Sequence, residues 1–246
     1  MALMTSPFGA TNSTKWYDEA KTYRIYDAAG DVAAFKSQTE PCDDTTGDPD
    51  RFTMTVVEAG TGDSTVVNSV TAGNWITITT AADEYDGVNL QAKGEAFKLV
   101  AGKPLYFGAK LALNNATESD LFIGLAETNT ALLATSSAHA IGGSGIEGAF
   151  FAKLDAVTTI TARTYEANAQ TNSFTVGTAL DTAAHIYEFT WDGVSQLSFY
   201  FDGTIVGTCT GTLPNGDLTP SINVRAGSSA ARTCEISWLR CFQAVS

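Results

Sequence analysis

Two Asp-Gly pairs, Asp192-Gly193 and Asp202-Gly203, punctuate a stretch in which apolar and polar residues alternate one by one. Tyr187, Phe189 and Trp191 alternate with Ile186, Glu188 and Thr190 ahead of the first pair, and Leu197, Phe199 and Phe201 alternate with Ser198, Tyr200 and Asp202 after it. The second pair leads into Thr204 to Thr208. A period of two places successive side chains on opposite faces of a strand, and Asp-Gly tolerates the positive φ that tight hairpins need. The segment therefore reads as a three-stranded meander, with Phe189, Trp191, Leu197, Phe199 and Phe201 on its buried face.

The same period recurs along the chain. Leu105, Phe107, Ala109, Leu111 and Leu113 alternate with Tyr106, Gly108, Lys110, Ala112 and Asn114, the pattern of a half-buried strand. Further candidate strands are 52–57, 74–80, 87–93, 96–100, 121–127, 148–154, 158–165, 221–225 and 233–242, and with the meander they make about a dozen short strands separated by turn-rich segments. Helical spacing is confined to Thr14–Ala29, where Trp16, Ala20 and Tyr23 follow a step of three to four residues behind Asn12 or Ser13 as cap. Pro41, Asp43, Asp44, Gly47, Asp48, Pro49 and Asp50 mark a loop. The expectation is an all-β chain, two packed antiparallel sheets over 41–246, preceded by an N-terminal arm or helix over 1–40. Hydrophobic residues at 44% against charged residues at 17% supply a large core and exclude global disorder.

Charge narrows the partners. Fourteen Lys and Arg against 27 Asp and Glu leave −13 at pH 7, and no basic stripe with interleaved aromatics offsets the repulsion from phosphate, so nucleic acid is excluded. Met1–Ala10 has neither a basic region nor an apolar run of signal-peptide length, and no long apolar segment follows. A chain made in the cytoplasm, with no membrane as partner, is expected. Cys42, Cys209, Cys234 and Cys241 are too few and too unevenly spaced for a disulfide scaffold or a zinc site, and read as buried thiols.

Asp120-Leu121-Phe122-Ile123-Gly124-Leu125-Ala126, Phe189-Thr190-Trp191-Asp192-Gly193 and Leu197-Ser198-Phe199-Tyr200-Phe201-Asp202-Gly203 together resemble the jelly-roll domains of concanavalin A/laminin-G type. Gly60-Thr61-Gly62-Asp63-Ser64, Trp75-Ile76-Thr77-Ile78 and Asp86-Gly87-Val88-Asn89-Leu90-Gln91 make the chain similar in particular to versions found in structural proteins of tailed bacteriophages. The resemblance covers roughly residues 50–244, and its motifs are hairpin and core positions, which speak to fold more than to function. It implies a jelly-roll sandwich on the outer surface of a virion, assembled in the host bacterial cytoplasm and bound to capsid or other virion proteins, with a homo-oligomeric state. Relatives of this type bind Ca2+ at loop tips, so calcium is the one cofactor implied, though no ligand spacing here matches theirs.

Catalysis finds no support in the residues. A laminarinase-like hydrolase would place carboxylates in a Glu-x-Asp-x-x-Glu strand; in the nearest segment, Glu235–Arg240, Ser237 and Arg240 stand where acids are needed. Two histidines, His139 in a small-residue loop and His185 at a strand start, offer no triad base, and no Gly-x-Ser-x-Gly elbow is present. Gly143-Ser144-Gly145-Ile146-Glu147-Gly148 matches a dinucleotide fingerprint in letters, but a β-like run follows where a helix must begin. Asp43, Asp44, Asp48 and Asp50 read as a solvated acidic loop lacking the glycine and terminal Glu of an EF-hand. No catalytic residue and no metal ligand is therefore expected.

Two binding surfaces remain. Phe8, Trp16, Tyr17, Tyr23 and Tyr26 crowd the arm, a stretch too short to bury them itself, and either pack back on the sandwich or dock on a neighbouring subunit or shell, the second being the partner-binding reading. The expected function is accordingly a capsid decoration or cement protein that acts by adhesion. The alternative is a carbohydrate-binding module of a tail fibre or spike, in which Tyr106 and Tyr200, on the faces opposite the apolar sets, would provide rings for sugar stacking.

Overall fold

The computed structural model describes residues 35–37, 52–69, 75–134, 138–142 and 145–244, and over these the chain is strand and loop without helix. The strands are β1 (Phe35–Ser37), β2 (Phe52–Val57), β3 (Thr65–Asn68), β4 (Ile76–Thr79), β5 (Gly87–Ala92), β6 (Leu105–Leu113), β7 (Ser119–Ala126) and β8 (Gly148–Lys153). They continue as β9 (Thr159–Glu166), β10 (Ala169–Ala179), β11 (His185–Trp191), β12 (Leu197–Phe201), β13 (Thr204–Cys209), β14 (Thr219–Ala226) and β15 (Thr233–Ala244). Sheet A runs β13-β12-β11-β6-β15-β4-β3, with β1 also paired to β15, and sheet B runs β10-β9-β8-β7-β14-β5-β2. The expected two-sheet antiparallel sandwich is what forms. Because Phe35 pairs with Ala244 and Ser37 with Phe242, hydrogen bonding to sheet A begins within the segment assigned to the arm.

The meander forms in register, with Phe189 opposite Phe199 and Tyr187 opposite Phe201, and β13 closes beside β12. Its two turns work differently. Asp202 and Gly203 both take positive φ, 49° and 74°, as a two-residue hairpin requires. At the first turn only Gly193 does, at 76°. There the loop is longer, and Asp192 Oδ1 accepts hydrogen bonds from the backbone N–H of Val194 (2.7 Å), Ser195 (2.9 Å) and Gln196 (2.9 Å). Asp192 thus organises the turn with its side chain, beside the bond from its own backbone N–H to the Gln196 carbonyl (3.0 Å).

The alternating apolar set fills the space between the sheets. Phe107 stacks on Phe189 within sheet A, and Phe151 of sheet B meets Tyr187 and Phe199 edge-on at 5.5 Å. Phe189, Leu197 and Phe199 are fully buried, and Trp191 and Phe201 nearly so. Cys209, Cys234 and Cys241 are free thiols in the same core; Cys42 lies outside the described residues.

Several elements depart from the sequence expectation. Residues 96–100, expected as a strand, contribute only isolated bridges, Phe97 to Leu218 and Val100 to Lys103. β1, β3 and β10 were not anticipated. β10 is an edge strand of mostly small and polar residues, Ala-Gln-Thr-Asn-Ser before Phe174, entered through a turn at Ala167 and Asn168 with φ 46° and 73°. An edge strand with few apolar residues leaves a faint hydrophobic pattern. The helical expectation over Thr14–Ala29 and the acidic loop Asp43–Asp50 lie outside the described residues.

Sheet B also differs from a half-solvated sheet. Every position of β5, β7, β8 and β14 is buried, so both faces are covered, the inner by sheet A and the outer by the segment joining β7 to β8.

Candidate functional site

The outer face of sheet B carries the side chains that alternate with the core set: Asn89 and Gln91 on β5, Ser221, Asn223 and Arg225 on β14, Asp120 and Phe122 on β7, and Phe150 on β8, each aligned by register. The β7–β8 segment lies over them in two ways. Its apolar residues Leu132, Leu133 and Ile146 pack on Phe122, Phe150 and Ala152 as a second, smaller core, with the Phe122 and Phe150 rings 4.1 Å apart. Its backbone is gripped by sheet side chains. Gln91 Nε2 donates to the Glu127 carbonyl (3.0 Å) and Gln91 Oε1 accepts from the Asn129 N–H (2.9 Å). Asn89 Nδ2 donates to the Asn129 carbonyl (2.6 Å), and Arg225 Nη2 to the Ala138 carbonyl (3.4 Å).

At the end of sheet B where β5, β7 and β14 meet their loops, the same face becomes strongly charged. Asp120 is fully buried. Its Oδ1 accepts from the Asp155 N–H (2.6 Å), while its Oδ2 faces His139 Nδ1 (2.8 Å) and Arg225 Nη2 (3.6 Å). His139 Nε2 faces Glu84 at 3.2 Å and Asp155 at 3.8 Å. A neutral imidazole has one N–H and cannot serve carboxylates on both nitrogens, so this geometry calls for the cation. Burial alone would lower the His139 pKa, but the Asp120 hydrogen bond and charge, then Glu84 and Asp155, raise it above its ordinary 6.5. Lys153 Nζ donates to the Thr117 carbonyl (2.6 Å) and to the Ser119 carbonyl close by, and burial lowers it to about 8.

Tyr85 stands over this cluster. Its ring stacks on His139 at 4.8 Å and carries the Arg225 guanidinium at 5.1 Å, and its side chain is half-buried at the rim. The backbone is held at φ 75°, a left-handed conformation that costs an aromatic residue on the order of 1–3 kcal/mol and persists only where neighbours enforce it. The enforcers are visible. Tyr85 N–H donates to the Ala226 carbonyl, Asp86 N–H to Asp83, and Asp86 Oδ1 and Oδ2 accept from Ala59 N–H (2.6 Å) and Asp83 N–H (3.0 Å). Gly87 makes the approach of Arg225 feasible, since a Cβ there would lie 2.4 Å from Arg225 Cγ.

Sequence reasoning found the strands of this site but not the site itself. His139, read from the sequence only as a residue of a small-residue loop, is held by three carboxylates. His185 does begin a strand, as expected, and is held in the same manner, Nδ1 to Asp202 at 2.7 Å and Nε2 to Asp181 at 3.0 Å. Tyr106 and Tyr200 lie on the outer face of sheet A but form no exposed platform: they are 2% and 8% exposed. Tyr106 donates to Glu188 Oε1 (2.6 Å) and stacks on Phe242. Phe8, Trp16, Tyr17, Tyr23 and Tyr26 lie outside the described residues. Gly148 of the dinucleotide-like run opens β8, a strand, and not a helix. The clue to the site was the run of Asn, Gln, Asp and Arg at alternate positions of apolar strands, which period alone assigns to solvent.

No protein-family model and no curated protein matches this sequence. Among solved structures, the carbohydrate recognition domain of Emp46p in its metal-free form superposes with TM-score 0.56 at 11% identity, covering 82% of this chain and 94% of that one. A β-1,3-1,4-glucanase (lichenase) derived from a mouse hindgut metagenome gives 0.57 at 14%, covering 83% and 98%. The Bacillus licheniformis β-glucanase gives 0.54 at 16%, covering 83% and 96%. The fold is therefore that of the concanavalin A-like jelly-roll sandwiches, as the sequence resemblance implied. None of these structures is a phage protein, so the virion role draws no support from them. The Emp46p domain is also known in a potassium-bound form. Among the described residues of this chain, no group of three or more His, Cys, Asp or Glu is arranged to hold a metal ion.

Proposed function

We propose that this chain is a carbohydrate-binding domain that holds its ligand without turning it over, and that the ligand engages the end of sheet B around Tyr85. The fold is shared with a carbohydrate recognition domain and with glucanases, which brings saccharides forward as the ligand class. The observation that carries the reading is Tyr85, kept in a strained backbone conformation with a half-buried ring at the rim of a buried, charged cluster. Strain of this kind collects at binding sites, and an aromatic ring beside fixed donors and acceptors is suited to a sugar, whose C–H face packs on rings while its hydroxyls take polar groups.

Against turnover stands the way the acids are used. Asp120 spends its oxygens on Asp155 N–H and His139, so it has neither the exposure nor the free proton of a general acid. Glu235, at the nearest match to the hydrolase spacing, accepts from Ser69 Oγ at 2.8 Å on sheet A, away from the cluster.

The test is a glycan array followed by calorimetric titration of the best ligands into wild type and Tyr85→Ala. Loss of the ring is expected to weaken binding roughly 10- to 100-fold; unchanged affinity would place the site elsewhere. Release of reducing sugar from the bound glycans, abolished in Glu235→Gln, would make the protein an enzyme instead.

A further inference from the structure

Below the cluster, toward the centre of sheet B, the outer face contains a group of buried polar atoms that the protein leaves unpaired. Asn223 sits on β14 with Asn89 of β5 and Phe122 of β7 beside it in register, and Arg225 is the next outward-facing residue. Asn89 and Asn223 are 1% exposed and Arg225 is not exposed at all. Asn223 Nδ2 and Oδ1, Asn89 Oδ1, and Arg225 Nε and Nη1 meet no hydrogen-bond partner among the described residues. Their neighbours are satisfied: Gln91 donates to Glu127 and Ser221, and Ser221 donates to Thr219. The other polar atoms of Asn89 and Arg225 are engaged as well.

Buried polar atoms are almost always paired, because an unpaired one forfeits its hydration with nothing in return. Five on three adjoining side chains therefore specify a guest. Three are donors and two are carbonyl oxygens, so the guest must both accept and donate. A hydroxyl does both. An anion would meet two carbonyl oxygens and the nearby Asp120 carboxylate, and a metal cation would meet the Arg225 guanidinium. We propose that Asn89, Asn223 and Arg225 form an internal hydroxyl-binding site between sheet B and the β7–β8 segment. The hydroxyl comes either from ordered water or from a saccharide reaching inward past Tyr85, on which the Arg225 guanidinium lies; the saccharide source rests on the carbohydrate reading above, and the water source does not.

Asn223→Leu separates this from a dry interior, because leucine keeps the approximate shape and removes both polar atoms. If the amide is paired to a guest, the variant unfolds at a temperature lower by roughly 2–4 °C or more. An unchanged or raised unfolding temperature overturns the proposal, since exchanging an unpaired buried amide for an apolar side chain is neutral or stabilising. Should the variant not fold, a high-resolution crystal structure of the wild type decides. Ordered density about 2.7–3.2 Å from Asn223 Oδ1 and Arg225 Nε supports the site, and its absence refutes it. Titration of monosaccharides into both proteins identifies the source. A roughly tenfold loss of affinity in Asn223→Leu assigns a sugar hydroxyl, and equal affinity with a lowered unfolding temperature assigns water. A wild type that binds no saccharide refutes the carbohydrate reading and leaves the unfolding result to judge the hydroxyl site.

Discussion

Glu188 faces away from the core on β11 and is nevertheless 2% exposed. Burial raises its carboxyl to about 7 from an ordinary 4.5, against a hydrogen bond from Tyr106 that pulls it down. The folded state then holds a proton that the unfolded state has lost, so stability should fall as pH rises from about 4.5 to about 7, by on the order of 3 kcal/mol. His139 works in the same direction at higher pH. Its folded pKa is raised, so its contribution is complete below about 6.5 and is lost as pH rises through the folded value. Lys153, lowered to about 8, acts oppositely: its buried charge burdens the fold below that value, and the burden lifts as pH rises toward the ordinary 10.5. Urea unfolding should show stability falling between about pH 4.5 and 7; above about 8 the gain from Lys153 is opposed by the buried thiols of Cys209, Cys234 and Cys241, whose pKa values burial raises. Glu188→Gln should flatten the limb between pH 4.5 and 7, and a limb as steep as the wild type's would show that Glu188 is not its source.

At the scale of the element, alternation located the strands and their core faces where one face meets the other sheet. β12 is the clearest instance. Phe199 packs on Phe151, Phe174 and Phe189, and its truncation to Ala should cost about 3–5 kcal/mol. Ser198 faces outward, where Gln196 Nε2 donates to its hydroxyl at 3.1 Å, and Ser198→Ala should cost about 1 kcal/mol. Thermal unfolding of the two variants checks the assignment, and equal losses would mean that the faces were exchanged. The turn at Asp192 supplies a further case. Its carboxylate takes three backbone N–H groups, and although burial raises its pKa, these bonds outweigh that and lower it. Asp192→Ala should therefore destabilise by about 1–3 kcal/mol, whereas a turn relying on Gly193 alone would lose little. β10 escaped the sequence because an edge strand needs few apolar residues and β3 because its four residues, Thr-Val-Val-Asn, do not alternate, and 96–100 misled because only Phe97 of that run is buried, beside its bridge to Leu218.

For the whole molecule, far-UV circular dichroism should show a β spectrum, and helix above about one quarter would contradict both the alternation and the fold. Alternation and turn chemistry by themselves determined that this chain is an antiparallel sandwich and which residues fill its centre. Both are local: a strand's two faces are distinguished within a few residues, and Asp202-Gly203 reverses the chain wherever it occurs. They did not determine what covers the other face of each strand. Asn89, Gln91, Asn223 and Arg225 alternate with core residues just as solvent-facing residues do, and only the tertiary structure laid the β7–β8 segment over them and brought His139 to Asp120 and Tyr85. Whether a polar side chain meets water or a loop distant in sequence depends on contacts across the fold, and the period of a single strand carries no record of them.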